Sequence, residues 1–342
     1  MWHHSNGATF MSHLSARPAV RVIAAIAVLA TVGAALTACG SGEASTSADC
    51  EKTYTIGFSH PVGESEFAAA LKDQVSKAGD ENGCVTVLLD NTQASNLESQ
   101  RATIESWVTQ DVDAIVVLAV DATALDGLRE RAQKQGTKWL TYAGATDTSD
   151  GSVGFDNNQS GDLVAKDALA WLKEAHPDGG VTAEVTTLKP LVGFAGRWEE
   201  PLAQFEAAGL EVVSEQDCAD QECGLQITED TLRQHPDLRV VIGINDDAAI
   251  GALRAFENAG IDPAEVYIAG QDGTREGLEA VKEGGAYRSS AAILIPDLAA
   301  SIIDNSLAAI TGEGETDYET AVELGTLENP ARLDELIAQY GS

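Results

Sequence analysis

The feature that most constrains the fold is an alternation that begins at Tyr54. Short apolar stretches rich in Val and Ile alternate with longer segments in which apolar residues recur at helical spacing. This alternation predicts repeated strand–helix units and a mainly parallel sheet, since parallel neighbours need a crossover connection. Expected strands lie at 54–59, 85–90, 114–120 and 138–142, and, after a short strand at 153–155, at 181–188, 211–214, 240–244, 266–269 and 287–293. Two such series within 342 residues predict an α/β fold of two doubly wound lobes whose sheets face one cleft.

Glycines mark the expected helix ends. Gly79, Gly83 and Gly136 each stand where an apolar helical pattern stops. Because glycine adopts the left-handed conformation without steric cost, it commonly follows the last helical residue. We therefore expect helices of the first series to end at these positions.

The N-terminus carries the pattern of an export signal. Arg17 and Arg21 precede the apolar stretch 22–35, which is too short for a permanent membrane helix but suits a signal-peptide core. The stretch ends in LTACG at 36–40, which resembles the bacterial lipobox, in which the cysteine thiol receives a diacylglycerol. Residues 1–39 are therefore expected to be a lipoprotein signal peptide, with Cys39 as the lipidation site. The true start is either Met1 or Met11.

The residues after the lipobox have the composition of a linker. Residues 40–48 read GSGEASTSA, which is rich in Gly, Ser and Thr. Such segments behave as flexible chains. Residues 40–52 are therefore expected to be a tether between the lipid anchor and the folded body.

The charge excludes one class of partner. The chain has 21 Lys and Arg residues against 54 Asp and Glu residues, a formal net charge of −33. A body this acidic repels nucleic acid and anionic bilayers. Its acidic residues are spread along the chain, which is typical of a solvated surface. We therefore expect no nucleic-acid binding.

Cysteine usage agrees with export. Besides Cys39 there are four cysteines, Cys50, Cys84, Cys218 and Cys223, and oxidising compartments permit disulfides. Three pairings are possible; the economical one joins Cys50 to Cys84 and Cys218 to Cys223, because Cys50 and Cys84 each precede a strand of the first series. A zinc site is the rival interpretation, but no CxxC or HxxxH spacing supports it.

Catalytic motifs are absent from the sequence. It contains no GxSxG, HExxH, P-loop or GxGxxG pattern, and His3, His4 and His13 precede the expected cleavage site. We therefore expect no enzyme activity, no cofactor and no metal.

Four stretches resemble one family. Residues 243–255 (GINDDAAIGALRA) and 269–274 (AGQDGT) look like second-lobe signatures of the type I periplasmic sugar-binding proteins, the ribose-binding family. Residues 113–117 (DAIVV) and 157–161 (NNQSG) are similar to the same family. The resemblance covers roughly residues 53–325, and the stretch at 243–255 is its most specific part.

The resemblance implies two lobes joined by three hinge crossings. We place the crossings near 156–158, near 293–296 and near Gly325. The N-terminal lobe then comprises 53–156 and 295–325, and the C-terminal lobe 157–294 and 326–342. The tail, with Leu333, Leu336 and Ile337 at helical spacing, extends beyond the family pattern and is expected to form a terminal helix.

The match also implies ligand-binding residues in the second lobe. Asn245 and Asp272 follow strands and would bind sugar hydroxyls, with turn or helix capping as the alternative role. Asp246 is expected to cap the helix that starts at Asp247. Arg197 and Trp198 lie where the family often places an arginine; Trp198 would either stack on the ligand or cover the core.

In the first lobe, residues 59–67 (SHPVGESEF) occupy the family's first ligand loop. Ser59, His60, Glu64 and Phe67 are its candidate ligand contacts. His60 is open between a ligand contact and a packed loop residue, and Phe67 between the ligand and the core. Tyr142 is a further candidate because it ends a strand that points at the cleft.

Two departures bear on the ligand. Typical ribose binders carry Asp-Arg after the fourth strand, where this chain has Ala143 and Gly144, and they often carry Gln where this chain has Leu294. The cleft is therefore less polar than the ribose pattern, which makes a deoxysugar, a polyol or another small solute plausible.

The resemblance implies a function outside the cytoplasm. A monomeric, lipid-anchored protein on the outer face of the cytoplasmic membrane would capture a sugar or polyol and deliver it to an ABC permease. The alternative is a binding lipoprotein that reports its ligand to a membrane kinase or mediates quorum-signal uptake. The sequence does not separate these two roles.

Overall fold

The computed structural model describes residues 50–60, 65–90, 96–142 and 146–341. Within them are twelve strands: β1 (Tyr54–Ser59), β2 (Val85–Leu89), β3 (Ala114–Val117), β4 (Lys138–Tyr142), β5 (Gly151–Phe155), β6 (Thr182–Thr187), β7 (Glu211–Asp217), β8 (Leu238–Ile242), β9 (Tyr267–Asp272), β10 (Tyr287–Ile293), β11 (Asp317–Thr320) and β12 (Val322–Thr326). The α-helices are α1 (Glu66–Asn82), α2 (Leu97–Thr109), α3 (Ala122–Gln135), α4 (Asn157–Ala175), α5 (Gly196–Ala208), α6 (Gln221–Gln234), α7 (Asp246–Ala259), α8 (Arg275–Glu283), α9 (Ile295–Thr311) and α10 (Pro330–Ala338).

The strands form two sheets of six, one for each lobe. The first sheet has the order β11-β5-β4-β3-β1-β2, and all its recorded pairings are parallel. The second has the order β12-β10-β9-β8-β6-β7, and only β12 runs antiparallel to its neighbour. The predicted α/β class with two doubly wound lobes is confirmed. In each lobe the carboxyl ends of the parallel strands form one edge, where polar side chains collect.

The chain passes between the lobes three times. It leaves the first sheet after Phe155 and returns after Ile293, close to the expected crossings. The third passage lies at Ala321, between β11 and β12, and thus earlier than the expected Gly325. Gly325 belongs to the second sheet, where it pairs with Ser290 of β10.

Helix boundaries follow from capping residues. Ser65 begins α1 by accepting a hydrogen bond from the Ala68 backbone N–H (3.1 Å). Gly83 and Gly136 end α1 and α3 in the left-handed conformation, with φ of 74° and 99°, as predicted. Gly79 does not end a helix: it lies inside α1, where an added Cβ would come within 2.5 Å of the Val87 side chain. This glycine allows close helix–sheet packing.

Two disulfides join the predicted pairs. Cys50 is bonded to Cys84 and Cys218 to Cys223, with Cα–Cα distances of 5.6 and 5.8 Å. The first bond ties the start of the folded body to the residue before β2. The second joins the residue after β7 to the first turn of α6.

Removing the first disulfide should destabilise the protein more than removing the second. Cys50 and Cys84 are 34 residues apart and Cys218 and Cys223 only 5, so loop entropy predicts losses of about 4 and about 2 kcal/mol. The Cys50→Ser/Cys84→Ser and Cys218→Ser/Cys223→Ser variants can be compared by guanidinium unfolding. Equal losses would contradict the entropic explanation.

Candidate functional site

The candidate site lies where strand ends of the two lobes face each other. The first lobe contributes His60, which follows β1, Tyr142 at the end of β4, and Phe155 at the end of β5. The second lobe contributes Asp272 at the end of β9 and Arg197 in the first turn of α5. The sequence-predicted residues His60, Tyr142, Arg197 and Asp272 are therefore brought together.

Arg197 is the cation of the site and is only 2% exposed. Its Nη1 lies 2.6 Å from Asp272 Oδ1 and also donates to the Ile244 carbonyl (3.0 Å). Its Nε donates to Asn157 Oδ1 (2.9 Å). Its Nη2 is buried and has no hydrogen-bond partner among the described residues. Both N–H groups of Nη2 therefore remain for other acceptors.

Asp272 has an unusual backbone conformation. Its φ is 105°, in a region that a non-glycine residue seldom adopts. The side chain stays 18% exposed, so the carboxylate is not sealed off from the cleft. Burial raises the pKa of Asp272, and the Arg197 guanidinium opposes that rise. Asp272 thus combines an unusual backbone conformation with a carboxylate that lies beside a buried cation at the edge of the cleft.

Aromatic rings enclose the guanidinium. The Arg197 Cζ lies 4.8 Å from the Phe155 ring centroid and 5.4 Å from that of Phe194. Tyr142 packs edge-on against Phe155, with centroids 6.1 Å apart, and His60 packs edge-on against Tyr142 at 5.4 Å. Because Phe155 belongs to the first lobe and Arg197 to the second, these contacts bridge the lobes.

Two further polar atoms in this cluster have no partner. His60 Nδ1 and the Tyr142 hydroxyl are buried without a hydrogen bond within the described ranges. Burial, with a smaller contribution from Lys72, lowers the pKa of His60 to about 3, so the imidazole is neutral. Burial also raises the pKa of Tyr142, so the phenol keeps its proton. Unpaired buried polar groups are rare in native proteins and indicate a missing partner.

Ser59 has a structural position. Its hydroxyl donates to Asp90 Oδ2 (2.6 Å) and accepts from Gln100 Nε2 (2.9 Å). Gln100 also donates to the Leu118 carbonyl (2.8 Å). Ser59 is fully buried. These bonds tie the ends of β1, β2 and β3 together.

The capping role expected for Asp246 is taken by Asn245. Asn245, not Asp246, caps α7: its Oδ1 accepts from the Ala248 N–H (2.9 Å) while its Nδ2 donates to the Ala219 carbonyl (2.9 Å). The expected capping role of Asp246 is therefore wrong. For Asn245, helix capping was the alternative to ligand binding, and the structure shows this capping.

Asp246 instead holds the loop that presents Asp272. It is 1% exposed and accepts hydrogen bonds from the Thr274 N–H (2.6 Å) and hydroxyl (2.9 Å). It also accepts from the hydroxyls of Ser290 (2.6 Å) and Tyr287 (2.7 Å). Burial raises the pKa of Asp246 to about 7, the Asp272 carboxylate adds to this rise, and the donated bonds oppose it.

The other candidates lie in the core or outside the described residues. Phe67 is 7% exposed and packs edge-on against Phe155 at 6.5 Å, and Trp198 is 5% exposed. Both belong to the hydrophobic core, which was one of the two alternatives for each. Glu64 and Cys39 lie outside the described residues.

The sequence analysis missed Asn157, Phe155 and Phe194 as contacts of Arg197. Asn157 and Phe155 adjoin the first hinge crossing, so their position at the cleft was deducible. Phe194 lies in a 3₁₀ turn, 192–194, with no periodic pattern around it. Nothing in the local sequence marks it.

A cavity of about 480 Å³ opens between the lobes beside this cluster. Tyr142 and Phe194 line it, with Leu118, Trp139 and Leu191. Its lining includes neither Arg197 nor Asp272. The cavity therefore lies next to the Tyr142 ring and not directly over the ion pair.

Neither a candidate metal site nor a candidate membrane-spanning helix occurs among the described residues. Across them, no group of three or more His, Cys, Asp or Glu side chains is placed to hold a metal ion. None of the helices in the described ranges combines the length and apolarity needed to cross a bilayer.

Comparison with known proteins identifies the family. Residues 56–314 match the periplasmic binding protein domain, so the chain belongs to that family. It is 27% identical to the ribose import binding protein RbsB of Bacillus subtilis over 68% of this chain and 74% of that protein. It is 28% identical to a xylitol-binding protein of Mycolicibacterium smegmatis over 77% of this chain and 73% of that protein. These relatives are binding proteins, not enzymes.

Solved structures agree with the fold. An ABC transporter solute-binding protein from Bacillus halodurans with bound myo-inositol has a TM-score of 0.72 and 25% identity, covering 85% of this chain and all of that one. One from Mycobacterium smegmatis with bound glycerol has a TM-score of 0.73 at 23% identity, over 82% of this chain and 96% of that one. The resemblance to type I periplasmic sugar-binding proteins is confirmed.

The raised pKa of Asp246 predicts a pH dependence of stability. In the folded state the carboxyl keeps its proton up to about pH 7, whereas its unfolded value is 3.8. Ionisation therefore costs the folded state, and the contribution of Asp246 to the free energy of unfolding falls as pH rises from about 4 to about 7. The stability of the wild type relative to Asp246→Asn should fall over this range in guanidinium unfolding.

Asp217 offers a control of opposite sign. Hydrogen bonds from the Thr187 hydroxyl and the Lys189 backbone N–H lower its pKa. The wild type should therefore gain stability relative to Asp217→Asn as pH rises through the acid range. A constant difference between the wild type and Asp246→Asn at all pH values would contradict the prediction.

Proposed function

We propose that this protein is an extracytoplasmic solute-binding lipoprotein that captures a small sugar or polyol between its lobes and delivers it to an ABC permease. The observation that carries the proposal is the group of unpaired buried atoms, His60 Nδ1, the Tyr142 hydroxyl and Arg197 Nη2, beside the Asp272 carboxylate. A sugar hydroxyl both donates and accepts hydrogen bonds, so it can pair with a donor such as Arg197 Nη2 and with an acceptor such as the Asp272 carboxylate. The ligands of the ribose- and xylitol-binding relatives belong to this chemical class.

The charge balance of the site favours an uncharged ligand. Arg197 and Asp272 form an ion pair, and the His60 imidazole is neutral because its pKa is about 3. Among the described residues of the site the charges therefore cancel, so none is left to offset the charge of an anionic or cationic solute, and burying an uncompensated ion is costly. The aromatic rings around Arg197 supply apolar surface for the C–H face of a sugar or polyol.

Hinge closure is the mechanism we propose. Contacts such as that of Arg197 with Phe155 join residues of opposite lobes. A ligand that bonds to both sides favours the form in which these residues meet, because it binds that form more tightly. The closed faces would then dock on the permease.

A thermal-shift screen tests the ligand class. D-Ribose, D-allose, xylitol, myo-inositol and glycerol form the panel, with a neutral amino acid and a nucleoside as comparisons. A sugar or polyol that binds should raise the melting temperature, and a tighter ligand should raise it further at the same concentration. Binding should also compact the protein in small-angle scattering. If none of the five panel compounds stabilises the protein, the proposed ligand class is wrong; if one binds without compaction, the closure mechanism is wrong.

Asp272→Ala should weaken binding of the best panel compound by more than about tenfold in calorimetry, because a charge-assisted hydrogen bond is lost and Arg197 loses its counter-ion. Asp334→Ala is the control, since Asp334 lies on α10 in an exposed ion pair with Lys282. Unchanged affinity of the Asp272 variant would remove this residue from the site.

The anchor has a separate test. Cys39→Ser should abolish incorporation of a labelled fatty acid and leave the protein unprocessed or released into the medium, because the serine hydroxyl cannot form the thioether to diacylglycerol. Ser41→Ala, two residues further on, should be labelled normally. Lipid labelling that persists in Cys39→Ser would contradict the assignment.

A further inference from the structure

The segment after α10, residues 339–341, returns to the cleft. It lies beyond the region that matches the family, which ends at residue 314. Gln339 Oε1 accepts a hydrogen bond from the Ile295 backbone N–H (2.8 Å). Ile295 is the first residue of α9 and follows the second hinge crossing. The tail is thus attached at a hinge.

Arg275 fixes this segment to the second lobe. It is the first residue of α8, three positions after Asp272. Its Nη2 donates to the backbone carbonyls of Tyr340 (2.7 Å) and Gly341 (2.6 Å). Its Nε lies 3.6 Å from Glu66 Oε1 on α1 of the first lobe. The tail is therefore held where the two lobes meet.

Tyr340 brings an unpaired hydroxyl to this place. Its side chain packs against the hydrophobic core, and the hydroxyl oxygen is buried without a hydrogen-bond partner in the described part of the chain. Burial raises the pKa of Tyr340, and the carboxylates of Asp246, Asp272 and Glu66 raise it further. The phenol therefore stays protonated and can donate.

The loop that carries Asp272 connects this hydroxyl to the candidate site. Arg275, which donates to the Tyr340 carbonyl, lies three positions after Asp272, and the Asp272 carboxylate contributes to the raised pKa of both Tyr142 and Tyr340. Both hydroxyl oxygens are buried, and neither has a hydrogen-bond partner among the described residues. A solute bound at Asp272 would therefore lie within the neighbourhood of two phenol donors.

We propose that residues 339–341 form a wall of the solute site and that the Tyr340 hydroxyl donates a hydrogen bond to the bound solute. This inference rests on the proposed function, since it requires a hydroxyl-bearing ligand at Asp272. It adds a binding residue from a segment outside the family match.

Tyr340→Phe in the full chain is the direct test, because it removes only the hydroxyl. Calorimetry with the best compound of the panel above should show binding about threefold to tenfold weaker, as expected for one neutral hydrogen bond. The melting temperature without ligand should stay the same or rise, because an unpaired buried hydroxyl has been removed. Tyr318→Phe is the control, since Tyr318 is 46% exposed on β11. A chain ending at Gln339 should weaken binding at least as much.

Monodeoxy analogues of the same compound distinguish contact from a structural role. The analogue that lacks the hydroxyl facing Tyr340 should bind the wild type and Tyr340→Phe equally. Each of the other analogues should bind Tyr340→Phe more weakly than it binds the wild type. A uniform loss for all analogues, or a lower melting temperature without ligand, would overturn the contact. If Asp272→Ala weakens binding and Tyr340→Phe does not, only the tail inference fails. If no panel compound binds the wild type, the proposed function fails and this inference fails with it.

Discussion

The buried ion pair between Arg197 and Asp272 is the interaction on which the site depends. Removing two charges from water is costly, and a pair of apolar residues in the same place is often as stable or more stable. Here the cost is offset in part by hydrogen bonds from Arg197 to Asn157 and to the Ile244 carbonyl. These contacts join the first hinge crossing, the end of β8 and the end of β9. A pair that is costly for folding yet placed at the meeting point of the lobes is better explained by ligand recognition than by stability.

The strands that the sequence predicted are those with an apolar signal of their own. β1, β4 and β10 have the expected bounds because each contains buried aliphatic and aromatic residues: Ile56 and Phe58, Trp139 and Leu140, and Tyr287 and Ile293. β11 and β12 were not predicted. β11 has three exposed residues out of four, and it becomes a strand only by pairing with β5, more than 150 residues earlier in the chain. Such pairing depends on tertiary context, which local propensity does not contain. The position of the third crossing was misplaced for the same reason.

The site was predictable to the level of strand ends but not of individual roles. Parallel strands bring their carboxyl ends to one edge, which predicted Tyr142, whereas the family resemblance predicted His60 and Asp272. The role of Asp246 could not be predicted from the adjacent Asn245 and Asp247. It depends on hydroxyls from Thr274, Ser290 and Tyr287, which only the fold places around Asp246. Tyr340 was missed because its position follows from bonds that Arg275 and Gln339 make to distant backbone groups.

The unpaired atoms also explain how closure would depend on the ligand. In the proposed hinge closure, His60 Nδ1, the Tyr142 hydroxyl and Arg197 Nη2 would be accessible to water in an open form and would lose that access when the lobes close on an empty site. Leaving a buried polar group unpaired costs about 1–3 kcal/mol. Changing a population from about 1:99 to about 99:1 takes about 5.5 kcal/mol, which three such groups can supply. A solute that satisfies all three therefore favours the closed form by removing a penalty, so closure on an empty site is disfavoured without any added strain.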